Sequence, residues 1–437
     1  MDATTPEVQA EALLKQYFER DEQGRFVWEG RLGEGYYSRA WKIKYQPNGR
    51  TAAQQTGSEP RISLPDEVRR IVLKTLLNDA QGGPLKFNGT PHPPGAAGAG
   101  PATGADSEEG DSQIYNEKKW LQVLKWAKHI IKMVDVPNDP LSRRFEGVPR
   151  SPWNGKMYLY LEFIENGTLA RLITKASGRG VNIFPNRILW RFFLCLVRMC
   201  IAMTWPPDRP AGVNPQPVLE KSRPNDQPRG LKHDDVHNHN IMIGPFLHDS
   251  TEPEHYELTP ILKLIDFGLA NEIKPPVAPP DRAVAINVFE AGAIMKCLIM
   301  KQIIVEFEGT PGAETKTFEF GGLRVKTRAV DMLPDVKRPD PVPFLDRNLR
   351  DLVCICMAKD PEDRPKLDFL EDTLQEAIRA RNHAWYSNGY QYCDASQESD
   401  DAIKMMMQNL VLDADLFHDP YDNSDTDSLE ELLNRYT

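Results

Sequence analysis

Two stretches carry the side chains best suited to chemistry: Lys232-His233-Asp234-Asp235-Val236-His237-Asn238-His239-Asn240 and, after a gap, Leu264-Ile265-Asp266-Phe267-Gly268. Asp235 offers a carboxylate that can take a proton from a hydroxyl. Asn240 and Asp266 offer an amide oxygen and a second carboxylate, hard donors suited to a divalent cation. Phosphoryl transfer requires these parts, because its catalysis is mostly positioning and neutralisation of charge. Each residue also has an ordinary reading, with His233 and Phe267 as core side chains and Asp235 as a capping or turn residue. Those readings do not explain the joint order.

The spacing H-x-D-x-x-x-x-N followed by D-F-G resembles the eukaryotic protein kinases, and further segments follow in kinase order. The resemblance implies an α+β, two-lobed kinase-like fold: a small lobe with an antiparallel sheet and one helix, and a larger, mainly helical lobe. It makes Asp235 the catalytic base, Asn240 and Asp266 the magnesium ligands and ATP the phosphoryl donor. Leu32-Gly33-Glu34-Gly35-Tyr36-Tyr37-Ser38 is similar to the glycine-rich loop whose backbone approaches the phosphates. Gly33 and Gly35 match that loop, and Ser38 stands where a third glycine is usual. By itself this stretch reads as a hairpin turn. In Arg70-Ile71-Val72-Leu73-Lys74 the strand-like alternation puts Lys74 at the position of the ATP-anchoring lysine. Glu117 falls where its ion-pair partner belongs, or is a solvated acid in the first turn of a helix. Tyr158 to Leu169 looks like a strand, the hinge and the start of a helix. Leu161 would be the gatekeeper, the backbone from Glu162 to Ile164 would bond adenine, and Met242 would lie beneath it.

The elements that must position these groups are legible around them. Thr5-Pro6-Glu7 reads as a helix start, with Leu13, Leu14, Tyr17 and Phe18 on one face. Leu121, Leu124 and then Ile130-Ile131 suggest a helix followed by a strand. From Leu189 to Met203 the chain is apolar nearly all round, as a buried helix should be. Ile241 to Ile243 reads as a strand, Asn287 to Met295 as a central helix, and Asp360-Pro361-Glu362-Asp363-Arg364-Pro365 resembles a turn near the end of the kinase fold. The expected organisation is an N-terminal extension over 1–25, a small lobe over 26–164 and a larger lobe over 165–380. Insertions are expected at 78–113 (Gly, Pro and Ala rich, disordered), 206–229 (Pro rich, leaving the packed body undisturbed) and 245–260. An acidic, largely disordered tail over 381–437 completes it. An apolar patch in the tail, Ile403, Met407, Leu410 and Leu412, could dock on the body. Ser424 and Ser428 have acids three residues on, which suits acid-directed phosphorylation.

With 437 residues, of which 40% are hydrophobic, the chain can bury a sizeable core. The net charge of −10 resides in the tail: from Gln391 onward there are twelve acids and two bases, so the remainder balances near zero. That balance argues against a nucleic-acid binder. Six cysteines without a C-x-x-C suggest free thiols. No apolar run is expected to cross a bilayer and no leader is evident, so an intracellular protein, cytoplasmic or nuclear, is expected.

Four departures from the kinase pattern bear on function. Asp234 replaces the arginine that in many members clasps an activation-loop phosphate, and no Ser, Thr or Tyr lies between Phe267 and Asn287. Only eighteen residues separate Gly268 from Asn287 and no A-P-E is evident, which leaves Asp281 as the candidate partner of Arg364. Asn287 replaces an aspartate, keeping an acceptor without its charge. His237 stands in for the catalytic-loop lysine. An imidazole is only partly charged near neutrality, so turnover is expected to be slow and to rise as pH falls from about 8 toward about 6.5. The leading expectation is a divergent Ser/Thr-type kinase acting on an unidentified protein without activation-loop phosphorylation. The alternatives are a pseudokinase that binds ATP or serves as a scaffold, and a small-molecule phosphotransferase of the aminoglycoside or choline kinase type.

Overall fold

The computed structural model describes residues 6–34, 38–47, 69–76, 105–143, 158–181, 183–212, 215–247, 252–303, 307–310, 312–337, 339–390 and 393–412. The chain is mixed α+β and divides into two compact units, 1–122 with 132–163, and 123–131 with 164–420.

The first unit is built on an antiparallel sheet of β1 (Phe26–Glu34), β2 (Ser38–Tyr45), β3 (Arg69–Leu76) and β4 (Tyr158–Glu162), in that order. Alternation along β2 buries Arg39, Trp41, Ile43 and Tyr45, as period-two side chains on a half-covered sheet should. Helix α1 (Pro6–Glu19) covers that face: Leu13, Leu14, Tyr17 and Phe18 share one apolar cluster with Phe26, Trp41, Ile43, Ile71, Leu73 and Tyr160. The strand just before Lys74 therefore points Ile71 and Leu73 into this core and leaves Lys74 on the opposite face. Helix α2 runs Ala105–Val123. It begins inside the segment expected to be unstructured up to 113; most of that segment, and the Thr5 cap, lie outside the described residues. Ile130 and Ile131 form no strand. They run extended, with an isolated bridge from Ile130 to Leu264.

The second unit is mainly helical. It contains α3 (Leu169–Gly178), α4 (Asn186–Thr204), α5 (Pro253–Tyr256), α6 (Asp281–Met300), α7 (Arg347–Cys356) and α8 (Leu367–Ala380). Every residue of α4 is buried. Helix α6 spans 20 residues, and an 18-residue window within it has mean hydropathy 1.7. It is thus long and apolar enough to cross a membrane, contrary to the sequence expectation, and is the one such helix among the described residues. It lies mostly buried inside the protein, and a core helix covered on all sides reads the same way.

The Pro-rich insertion does not leave the body. Val218 bridges to Ala127, and Glu220, fully buried, accepts from the His129 backbone at 2.8 Å and faces His129 Nδ1 at 2.5 Å. Tyr256 Oη lies 3.2 Å from the other ring nitrogen of His129 and accepts from Arg198 of α4 at 2.6 Å. Arg198 in turn pairs with Glu252 at 2.5 Å. Both insertions are thus fastened by buried polar groups that satisfy one another.

The described residues of the tail, 381–390 and 393–412, are folded, against the sequence expectation. They form α9 (His383–Gly389) and α10 (Asp400–Met407), and continue as a π-helical turn to Leu412. Ile403, Met407 and Leu410 are buried, whereas Leu412 is half exposed. The polar reason is the start of α4, whose N-cap is Pro185 and supplies no side-chain bond. Glu398 supplies it from 212 residues away, accepting from the backbone N–H groups of Asn186 at 2.7 Å and Arg187 at 3.1 Å. Ser424 and Ser428 lie outside the described residues. Glu398→Ala is expected to lower stability by about 2 kcal/mol, with Glu398→Gln intermediate, as measured by denaturant unfolding.

Candidate functional site

Two short antiparallel ribbons hold the loop that carries Asp235. At its start β5 (Leu231–Lys232) pairs with β8 (Asn271–Glu272), and at its end β6 (Ile241–Ile243) pairs with β7 (Leu262–Leu264). Gly230 allows the first ribbon to close. A Cβ there would come within 2.1 Å of the Ile273 carbonyl oxygen, and the Ile273 N–H donates to Gly230 O at 2.7 Å. Sequence reasoning missed this glycine, since its requirement comes from a strand some forty residues later.

Between the ribbons the loop closes on itself. Asn240 donates through Nδ2 to the Asp235 carbonyl at 2.9 Å and to Asp235 Oδ2 at 3.0 Å. Its own carbonyl accepts from the Ile265 N–H at 3.0 Å. The Ile265 carbonyl faces His233 Nε2 at 2.9 Å, and His233 Nδ1 accepts from the Asp235 N–H at 3.3 Å. His233 therefore carries its proton on Nε2, and burial holds its pKa below the ordinary value. Its ring meets Phe267 edge-on at 4.7 Å, both fully buried, so the ordinary core reading applies to both side chains. Both also place Asp266, next in the chain after Ile265. Asp266 adopts a left-handed backbone, φ 64°, and its carboxylate accepts from Gly268 N–H at 3.4 Å. That conformation costs a non-glycine residue on the order of 1 kcal/mol.

Burial opposes the charge on Asp235, but His237, His233 and Asn240 overrule it and hold its carboxyl below the usual range. Asp235 is thus ionised at neutral pH and can accept a proton. His237 lies with Nε2 3.6 Å from Asp235 Oδ1, while its Nδ1 accepts from the His239 N–H at 3.2 Å. Its nearest charged neighbour is thus the carboxylate. Met242, in β6, bridges to Thr168 at the start of α3.

In the first unit Lys74 donates to Glu117 of α2 at 2.8 Å, and Glu117 is 1% exposed. A carboxylate so deeply placed is a specific partner and not a solvated helix-start acid. Leu161 is buried in β4, opposite Val72. Glu162 ends that strand, with its N–H donating to Lys132 O at 2.9 Å and its carboxylate accepting from Lys132 N–H at 2.9 Å. Gly33 pairs with Ala40 within β1, and Ser38 is the first residue of β2. These two are strand residues that flank the turn, and Gly35 lies outside the described residues. Ile164, buried, belongs to the second unit.

Two further expectations are corrected. Arg364 pairs with Glu308 and not with Asp281. Glu308 also takes a bidentate pair from Arg282 at 2.9 and 2.8 Å, so one acid arriving after α6 serves two guanidinium groups. Asn287 uses its donor and not its acceptor, giving Nδ2 to the Leu231 carbonyl at 2.9 Å.

Glu290, on α6 one turn beyond Asn287, was not anticipated. It is 4% exposed, and burial, with Asp234, Glu308 and Asp235 adding to it against Lys232, pushes its carboxyl up to about 8. Being apolar in its neighbours along the chain, it gave no periodic signal.

No family model matches this chain, and no curated protein matches it. Among the described residues, no group of three His, Cys, Asp or Glu side chains is arranged to hold a metal ion. The donor set at hand is oxygen only: Asp266, and the Oδ1 of Asn240 left by an amide nitrogen committed to Asp235. Oxygen donors of this kind are the type that magnesium takes.

Because the Glu290 pKa is raised from about 4.5, the folded state holds a proton that the unfolded state releases, and stability falls as pH rises between those values. Glu290→Gln is therefore expected to melt higher than wild type at pH near 7, with the difference vanishing toward pH about 4.5. Thermal unfolding across that range measures it.

Proposed function

We propose that this chain has a divergent protein kinase-like fold and transfers the γ-phosphoryl group of ATP to a Ser or Thr hydroxyl of a protein. The observation that carries this reading is the closed loop in which Asn240 fixes Asp235 through its amide nitrogen and positions Ile265, and hence Asp266, through its carbonyl. In-line phosphoryl transfer needs an ionised base and oxygen donors for a cation, the roles that Asp235, Asn240 and Asp266 would fill. Within the first unit, the Lys74 amine held at 2.8 Å by the buried Glu117 supports it, since the kinase resemblance expects that pair.

In this reading Asp235 accepts the hydroxyl proton while the acceptor oxygen forms its bond to the γ-phosphorus. The bond from that phosphorus to the β–γ bridging oxygen breaks, and ADP leaves with the electron pair. Asn240 and Asp266 would hold magnesium, which supplies charge neutralisation for the phosphates when bound. His237, beside Asp235, would orient the base and share its field. A scaffold without catalysis has the specific support of the short segment after Gly268, with eighteen residues before Asn287.

Radiolabelled ATP with generic protein acceptors separates the two. Wild type is expected to transfer label, and Asp235→Asn to lower transfer by about 100-fold or more while keeping the rise in melting temperature that Mg-ATP produces. Equal transfer by both proteins would refute the assignment of the base, and a melting shift without transfer in either would favour the scaffold.

A further inference from the structure

Asp234 stands where the chain turns out of β5 into the loop that bears Asp235, and its backbone is left-handed, φ 66°. A non-glycine residue keeps that conformation only when its surroundings over-determine it, and here two contacts do. Oδ1 lies 2.5 Å from Lys232 Nζ, and Oδ2 accepts from Nδ2 of Asn271 in β8. Lys232 and Asn271 are themselves opposite one another in the β5–β8 ribbon. One carboxylate thus closes a triangle with both strands, of which the first leads forward into Asp235 and the second follows five residues after Asp266.

We infer that Asp234 is a positioning residue: with Lys232 and Asn271 it fastens the Asp235 loop to the segment following Asp266, and so keeps the two carboxylates in register. The fastening uses only unmodified side chains. That matters because the chain from Phe267 to Asn287 contains no Ser, Thr or Tyr, and no hydroxyl of that segment is available for a phosphate to do the same work. A carboxylate at 234 would repel such a phosphate; here it accepts from an amide instead. The consequence for turnover rests on the proposed function, whereas the fastening rests on the geometry alone.

The test uses the full chain and four variants: Asp234→Ala, Asn271→Ala, both together, and the exchanged pair Asp234→Asn with Asn271→Asp. The exchanged pair restores an amide-to-carboxylate contact and sets the new carboxylate opposite Lys232. Amide hydrogen exchange at Asn271, Glu272 and Ile273 is the first readout. Each alanine variant is expected to speed it about tenfold, the double no more than the worse single, and the exchanged pair to return within about threefold of wild type. The second readout is phosphoryl transfer, expected to fall about tenfold in kcat in the alanine variants with the KM for ATP unchanged, and to recover in the exchanged pair. Unchanged exchange in both alanine variants, additive effects in the double, or an exchanged pair that behaves like the double would overturn the fastening. Loosened exchange with undiminished kcat would overturn its positioning role. If wild type transfers no phosphate, the exchange pattern still decides the fastening, and only the proposed function falls.

Discussion

The amide of Asn240 is the joint on which the second unit's polar centre depends. Its nitrogen donates twice to Asp235, and its backbone carbonyl accepts from Ile265, so one residue sets both the loop's curvature and its distance from Asp266. Fixing each loop residue costs about 1–2 kcal/mol of backbone entropy, so over the several residues from His233 to Asn240 the total exceeds what a few hydrogen bonds of about 1 kcal/mol each return. The two ribbons make up the difference by anchoring both ends in strands, and the fully buried His233 and Phe267 give the loop an apolar floor. The charged residues then operate on a preformed frame.

The same logic recurs away from the centre. Wherever the chain departs from a plain core, a buried charged group receives a specific partner: His129 has Glu220, Arg198 has Glu252 and Tyr256, Arg364 has Glu308, and the start of α4 has Glu398. Removing one partner from such a pair leaves an uncompensated buried charge, which is more damaging than losing the net worth of the pair. The described parts of the 206–229 and 245–260 insertions, and of the tail through Leu412, are accordingly packed into the folded body. Glu290 behaves differently: burial, with nearby acids adding to it, pushes its carboxyl up to about 8.

What the sequence made legible follows from range. Period-two and helical spacing placed β3, α1 and α4, because those patterns depend on which face is covered. The Lys74 and Glu117 pair was legible from motif order. Features set by contacts across long separations were not: the close approach at Gly230, the Glu398 cap and the Glu308 bridge each join residues that no local pattern connects. Composition misled in the described part of the tail, where acid content suggested disorder while Glu398, a buried acid invisible in an average, ties the backbone to the start of α4. The central helix read at Asn287 to Met295 is the buried core of α6, which extends from Asp281 to Met300. His237 stands where the kinase resemblance expects a phosphate-steadying lysine, and its Nε2 lies 3.6 Å from Asp235 Oδ1.

The central claim is that Asp235, Asn240 and Asp266 serve a magnesium-bound triphosphate. An equilibrium titration of ATP with and without magnesium, on wild type and on Asp266→Asn, addresses it most directly. The account predicts binding that strengthens at least about tenfold with magnesium in wild type and loses that dependence in the variant. Binding indifferent to magnesium in wild type, or an equal magnesium dependence in Asp266→Asn, would contradict it.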